Sequence, residues 1–257
     1  METTESQLAE GKITSHVLDM AADKASQVTE EYLETIYNIS MEGDAVIGAR
    51  LADKFRVSPP TVTETLKRLT RDGYVQMNAR RQIELTPKGI ALAEAVLRRH
   101  RLTERFLVDM LGMQWHQVHE EACRLEHYIS GAVEERVTAA LQKPTTCPHG
   151  NPIPGYVPNA RTYLSDHQAM RLLQMPVGEA ATILLVSEVV EDEEGLISYL
   201  HEIGLTPGAR VTLATLPASD DPEAPVELVS GERRITTPAR VAYALWVTRE
   251  PAPTTAS

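Results

Sequence analysis

The chain has 257 residues, enough for two domains of ordinary size, and its 42% hydrophobic and 24% charged content is that of a soluble globular protein. The polar start carries no signal-like apolar run, no stretch approaches the roughly 20 apolar residues of a membrane helix, and two cysteines make no disulfide framework, so a cytoplasmic protein is expected. The net charge of −11 argues against nucleic acid until it is resolved by region: residues 50–88 hold nine Lys or Arg against four Asp or Glu, whereas 179–227 hold eleven acidic residues against Arg210 alone.

After a polar extension over 1–28, residues 29–41 (TEEYLETIYNISM) predict an amphipathic helix with Thr29 as N-cap and Tyr32, Ile36 and Ile39 as its apolar stripe. A short helix over 47–57 follows. Ser58 then caps a third helix whose first turn holds Pro59 and Pro60, where a missing N–H does little harm, and which Asp72-Gly73 stops. Residues 74–77 and 82–85 predict a hairpin around 78–81. Thr86-Pro87 opens a long helix to about residue 111, and another is expected over 115–141. The Pro/Gly-rich run 144–158 predicts a linker and domain boundary. Beyond it, β-rich segments at 181–190, 210–216, 226–229 and 244–247 suggest a small, partly open β-barrel, and 251–257 a disordered tail.

Helix, short helix, turn, helix, hairpin is the order of a winged helix-turn-helix, whose second helix enters the DNA major groove. Here that helix begins with Ser58, Pro60, Thr61, Thr63 and Glu64. Hydroxyls at a helix N-terminus suit phosphate, because free N–H groups and the dipole favour anions there. Arg80 and Arg81 at the hairpin tip can reach flanking phosphates. Taken singly, each feature is also a plain cap or a solvated turn; their agreement in order and local charge favours DNA.

The stretch VHEEACRLEH (118–127) carries a second chemistry. On a helix, His119, Cys123, Glu126 and His127 fall at i, i+4, i+7 and i+8, offering imidazole, thiolate and carboxylate from one face, the donors of a first-row transition ion. His100 and Glu104 repeat the i, i+4 spacing on the preceding helix, and Glu31 and Glu34 stand at i, i+3 on the first. Cys147 and His149 form a further pair, without evident partners. His119-Glu120 evokes the H-E-x-x-H peptidase motif, which fails here because Cys123 holds the second His position. No other catalytic arrangement is visible, so no enzyme is expected. A winged-helix repressor responding to a small molecule is the rival reading, but it has no need of Cys123 and His127.

On the pieces TEEYLETIY, SPPTVTETLKRLTRDGYV, LTPKG, RRHRLTERFL, VHEEACRLEHYIS and GNPIPG, in that order, the chain resembles the diphtheria-toxin-repressor family of iron and manganese regulators, densely over 28–154. HEIGLTPGARVTL and AYALWV look like the SH3-like barrel of many members. The resemblance implies a mainly α N-terminal part: a winged helix-turn-helix over 29–90, a helical dimerisation and metal-binding domain with the Pro-rich linker over 91–158, then an SH3-like β-barrel over 159–250. It implies a primary site of Glu31, Cys123, Glu126 and His127, and a second of His100, Glu104 and His119 with Glu193, Leu196 occupying a position where the family has an amide. In manganese-type members, His100 and a Glu at position 34 form a paired-metal site instead. A homodimer joined through Leu92, Val96, Leu107 and Leu111, a palindromic operator, and Mn(II) or Fe(II) as activating ion follow from the same likeness, with Mn(II) favoured by the oxygens of Glu31 and Glu34.

Overall fold

A computed structural model describes residues 26–190 and 192–249; residues 1–25 of the extension expected over 1–28, and the tail expected over 251–257, lie outside these residues. The first helix, α1 (Gln27–Met41), starts two residues earlier than expected. Its N-cap is Ser26, not Thr29: the Ser26 hydroxyl accepts from the Thr29 N–H at 3.3 Å. Both residues can cap; Ser26 holds the extended backbone of a cap, and Thr29 lies buried inside the first turn. Tyr32, Leu33, Ile36, Tyr37 and Ile39 are buried, and they share a core with Leu51 of α2 (Gly48–Phe55) and with Val62 and Leu69 of α3 (Pro59–Arg71).

The hairpin β1 (Val75–Met77) and β2 (Ile83–Leu85) pairs antiparallel, with Gln76 opposite Glu84. The long helix α4 (Pro87–Asp109) is capped by Thr86. Gly89 in its first turn is required by close approach, since a Cβ there would lie 2.1 Å from the carbonyl oxygen of Tyr74. Leu92, Val96 and Leu107 point into the chain's own interior, so of the residues expected to join two copies only Leu111 is exposed. The winged-helix core takes Leu92 and Val96, because α4 packs along α1.

The single helix expected over 115–141 is broken. A 3₁₀ turn (Trp115–Gln117) leads into α5 (Val118–Leu125), a second 3₁₀ turn (Glu126–Tyr128) tightens its end, and α6 (Gly131–Ala140) starts afresh. The break is local chemistry: Ile129 is extended, and Ser130 turns its hydroxyl to the Val133 N–H as a new N-cap. Glu126 and His127 lie in the tightened turn before this break, and Glu126 Oε2 reaches the same His100 Nδ1 (2.5 Å) that lies 4.0 Å from Cys123 Sγ.

After α7 (Tyr163–Asp166), β3 (Met170–Arg171), β4 (Ala180–Val186), β5 (Arg210–Leu213), β6 (Pro225–Ser230), β7 (Arg233–Pro238) and β8 (Leu245–Arg249) form one antiparallel sheet in the order β3-β8-β4-β5-β6-β7. The sheet is compatible with an SH3-like unit, though its ladder does not close. α8 (Glu193–Ile203) follows β4 and α9 (Ala239–Tyr243) follows β7. Leu196, Ile197 and Leu200 seat α8 on the core; that helix, β3 and β7 went unread in the sequence.

The Pro-rich run is not a free linker. Cys147, His149, Asn151 and Ile153 are buried. The Asn151 amide donates to the Val186 carbonyl at 2.9 Å, and the Val186 N–H to the His149 carbonyl at 3.0 Å. Gly150 sits at φ +87° with a Cβ position 2.2 Å from the Leu184 carbonyl, so this segment is pressed against β4. Prolines cannot supply the ladder, but an irregular segment whose polar groups are met by a strand's end can be buried. No helix among the described residues is long and apolar enough to cross a membrane.

Candidate metal centre and nucleic-acid interface

Glu30, Glu34, Asn38 and Glu42 recur every fourth residue and line the side of α1 away from its apolar core. Each meets a different part of the molecule. Glu30 Oε2 is 2.6 Å from His127 Nδ1, and Oε1 is 3.8 Å from Arg99 Nη2. Asn38 donates to Glu188 at 2.9 Å and accepts from Arg101 at 3.0 Å, while Arg101 pairs with Glu188 at 2.6 Å and donates to the Pro152 carbonyl. Glu42 accepts from Arg171 and from Ser187. Arg101 is fully buried.

At Glu34 the pattern changes, because its companions are His100 and a second carboxylate, Glu126, with ligand-capable atoms all within 4.8 Å of one another. His100 Nδ1 lies 2.5 Å from Glu126 Oε2, and Glu126 Oε1 is 3.2 Å from His127 Nε2. Burial, and then the Glu126 charge, push the Glu34 carboxyl well above the usual range. His100, which burial alone would drive down, is held well above the ordinary imidazole value by Glu104 and Glu126.

Two further groups adjoin this one. His100, His119 and Cys123 converge within the same 4.8 Å, as do Glu104, Cys147 and His149. Glu104 Oε1 lies 3.2 Å from His100 Nε2, 3.0 Å from His149 Nδ1 and 3.5 Å from His119 Nδ1. Glu104 Oε2 is buried with no hydrogen-bond partner. Burial opposes ionisation of Glu104, yet His149 and His100 hold its carboxyl well below the usual range. For the Cys123 thiol, burial is outweighed by His100 and His119, which lower its pKa, whereas burial and the Glu104 charge push the Cys147 thiol well up. Glu193 Oε1 reaches 3.5 Å from His119 Nδ1. Leu196 is packed in the sheet's core and offers no donor.

These residues suit a divalent transition ion. Imidazole, carboxylate and thiol are its donor types. Converging buried carboxylates and the orphaned Glu104 oxygen are costly without positive charge nearby. Of the expected residues, Glu34, His100, Glu104, His119, Cys123 and Glu126 fall within the three groups. His127 and Glu193 border them. Glu31 is exposed and belongs to none; its neighbour Glu30 faces His127 instead, because the i+4 stripe through Glu34 and Asn38 passes through residue 30. His149 and Cys147 were passed over in the sequence for want of a partner, which Glu104, 43 residues earlier, supplies.

The DNA-facing candidates occupy a separate surface. Ser58, Pro60, Thr61, Thr63 and Glu64 are exposed at the cap and first two turns of α3, where the Ser58 hydroxyl accepts from the Thr61 N–H and the Thr63 hydroxyl donates to the Pro59 carbonyl. Lys67 Nζ stands 3.4 Å from Glu64. At the wing tip, the Asn78 side-chain oxygen accepts from the N–H groups of Arg80 (2.9 Å) and Gln82 (3.0 Å). This Asx-type turn holds Arg81 at φ +60° and both arginines in solvent.

A winged helix-turn-helix joined to a buried cluster of transition-metal donors defines a metal-linked DNA-binding regulator. The chain matches the family models "iron dependent repressor, N-terminal DNA binding domain" over residues 24–83, "iron dependent repressor, metal binding and dimerisation domain" over 86–155, and "FeoA domain" over 170–249. It belongs to the iron-dependent repressor family. It is 41% identical over 226 residues to the iron-dependent repressor IdeR of Mycobacterium leprae, covering 85% of this chain and 96% of that one. It is 46% identical over 127 residues to the diphtheria toxin repressor of Corynebacterium diphtheriae, covering 49% and 56%. Among solved structures, a manganese-dependent transcriptional repressor in complex with manganese superposes with a TM-score of 0.71 at 28% identity, covering 86% of this chain and all of the other. These relatives are repressors rather than enzymes.

Proposed function

We propose that this chain is a Mn(II)-activated repressor of metal-uptake genes, acting in the cytoplasm as a homodimer on a palindromic operator. The observation that carries the reading is the convergence of Glu34 from α1 with His100 and Glu126 from the metal helices. An ion held there joins the DNA-binding unit to the rest of the molecule, so it has different affinity for the docked and undocked arrangements, and DNA binding is linked to it. His127, Cys123 and Glu31 border this regulating site; His119, Glu104, Cys147, His149 and Glu193 form a second. Ser58, Pro60, Thr61, Thr63, Glu64, Arg80 and Arg81 contact DNA. The division into 29–90, 91–158 and 159–250 separates reading, sensing and support. Met110, Leu111, Leu125, Tyr128 and Val133, exposed apolar residues of the helical part, supply the two-fold contact.

Oxygen and imidazole donors around Glu34 favour Mn(II). A second reading, Fe(II), is favoured by Cys123 beside His100 and His119 and by the iron-dependent relatives. The test is an anaerobic gel shift on DNA selected by the protein from a random pool, with Mn(II), Fe(II) or chelator. Retardation that chelator abolishes and Mn(II) restores at lower concentration than Fe(II) supports the reading; retardation indifferent to chelator overturns it.

A further inference from the structure

Lys54 stands where three parts of the fold meet. It lies in the last turn of α2, the helix that precedes the turn into α3. Its ammonium donates to the main-chain carbonyls of Glu188 (2.9 Å) and Val190 (2.8 Å), both just beyond β4, and lies 3.4 Å from Glu193 Oε2. The other oxygen of that same carboxylate, Oε1, faces His119 Nδ1 at 3.5 Å. The two side chains are 19% and 10% exposed, so the pair is shielded from the screening that makes surface pairs weak.

One carboxylate thus presents one oxygen to the histidine of the metal centre and the other to the helix-turn-helix. The other buried polar links between the N-terminal helices and the sheet do not have this property. Glu42 with Arg171 and Ser187, and Asn38 with Arg101 and Glu188, connect through α1. Lys54 connects α2 itself, and α2 is packed directly on the recognition helix.

We propose that Lys54 is a positioning residue that passes the state of the metal centre to the recognition helix through Glu193. This rests on the reading that an ion binds among Glu104, His119 and Glu193. A carboxylate oriented by a cation on one oxygen is a better-placed acceptor for an ammonium on the other, and such outer hydrogen bonds orient the ligand in return. Occupancy then fixes Glu193, Glu193 fixes Lys54, and Lys54 holds α2 and the turn to α3 against the strand end at Glu188–Val190. Without the ion, the Glu193 oxygen on that side meets only His119 Nδ1 at 3.5 Å, longer than an ordinary hydrogen bond, and the link to α2 is looser.

The test is amide hydrogen exchange of the full-length chain with and without Mn(II), in wild type, Lys54→Gln, Lys54→Arg and Glu193→Gln, with Mn(II) affinity and stoichiometry measured on the same samples. In wild type, Mn(II) slows exchange over residues 48–71 by about fivefold or more. In Lys54→Gln, Mn(II) still binds and still protects residues 118–128, but protection over 48–71 falls well below that of wild type. Lys54→Arg keeps most of the wild-type protection. Glu193→Gln loses protection of α2 although both carbonyl contacts of Lys54 are intact; because Glu193 is also placed at the metal centre, this result counts for the link only where the stoichiometry measured on the same sample shows Mn(II) still bound. Full metal-dependent protection of 48–71 in Lys54→Gln or in Glu193→Gln overturns the proposal. Absence of Mn(II) binding to wild type overturns the metal reading itself, a distinct outcome.

Discussion

The two sides of α1 answer to different forces. On one side Tyr32, Leu33, Ile36 and Ile39 are buried with Leu51, Val62 and Leu69, an apolar contact that needs no partner beyond the winged helix-turn-helix. On the other, Glu30, Asn38 and Glu42 each meet an arginine from elsewhere in the chain, respectively Arg99, Arg101 and Arg171. Among the described residues no arginine makes an ion pair with Glu34, whose companions are a histidine and another carboxylate. The apolar side makes α1 part of the DNA-binding unit under all conditions. The polar side joins that unit to the sensing and supporting parts, and at one turn of four its proposed positive partner is an exchangeable ion.

Substitutions can break each side in turn, and the largest effect is expected at Arg101–Glu188. Replacing Glu188 by Ala leaves a fully buried guanidinium without its anion. A loss of about 3–5 kcal/mol is expected in urea unfolding, metal present or not; a loss below 1 kcal/mol would mean that the pair is solvated. Next, Glu126→Ala removes the carboxylate shared by His100 and His127. It should weaken Mn(II)-dependent operator binding by more than about 100-fold while the unfolding midpoint in chelator stays near that of wild type. Operator binding that keeps its Mn(II) response would remove Glu126 from the regulating site.

A pH series sharpens the same comparison. His100 is held well above 6.5 by Glu104 and Glu126 against the opposing effect of burial, so it carries a proton at neutral pH that a metal must displace. Apparent Mn(II) affinity should therefore rise with pH above 6.5, by up to about tenfold per unit for each proton released, and level off once pH passes the raised value. Calorimetry in buffers of different ionisation enthalpy counts the protons; none released at pH 7 would contradict the assignment. The smallest effect belongs to the outer surface. Arg81→Ala should make the salt dependence of DNA binding shallower by about one unit, without change in metal response. An unaltered slope would place the wing tip off the phosphates.

What was legible in the sequence follows the same divide. The winged helix-turn-helix could be read because its signals are local: Ser58 before Pro59-Pro60, Asp72-Gly73 after the helix, Asn78 in the hairpin tip. The ligand-capable residues His100, Glu104, His119, Cys123 and Glu126, which the structure brings close together, could be read from helical spacings. Their partners could not, since Glu104 meets His149 through a Pro-rich run that composition marks as a linker. Treating 115–141 as one helix hid the 3₁₀ turn over Glu126–Tyr128 and the break at Ile129–Ser130 that follows it. The choice between Glu30 and Glu31 rested on which face of α1 is polar throughout; the spacing of Glu30, Glu34, Asn38 and Glu42 was the available signal. The edge strand β7, with Arg233, Arg234 and Thr236 outward, lacked the hydrophobic content that marks a strand.

The central claim is that a metal ion takes the place of the missing arginine at Glu34. The most direct test is a crystal grown with Mn(II), its anomalous difference density measured at a wavelength that identifies manganese. A peak within coordination distance of carboxylate oxygens from both Glu34 and Glu126 and of a His100 nitrogen is the result predicted. Peaks confined to the Glu104–His149 side, with the Glu34 carboxylate bound to no ion, would contradict it.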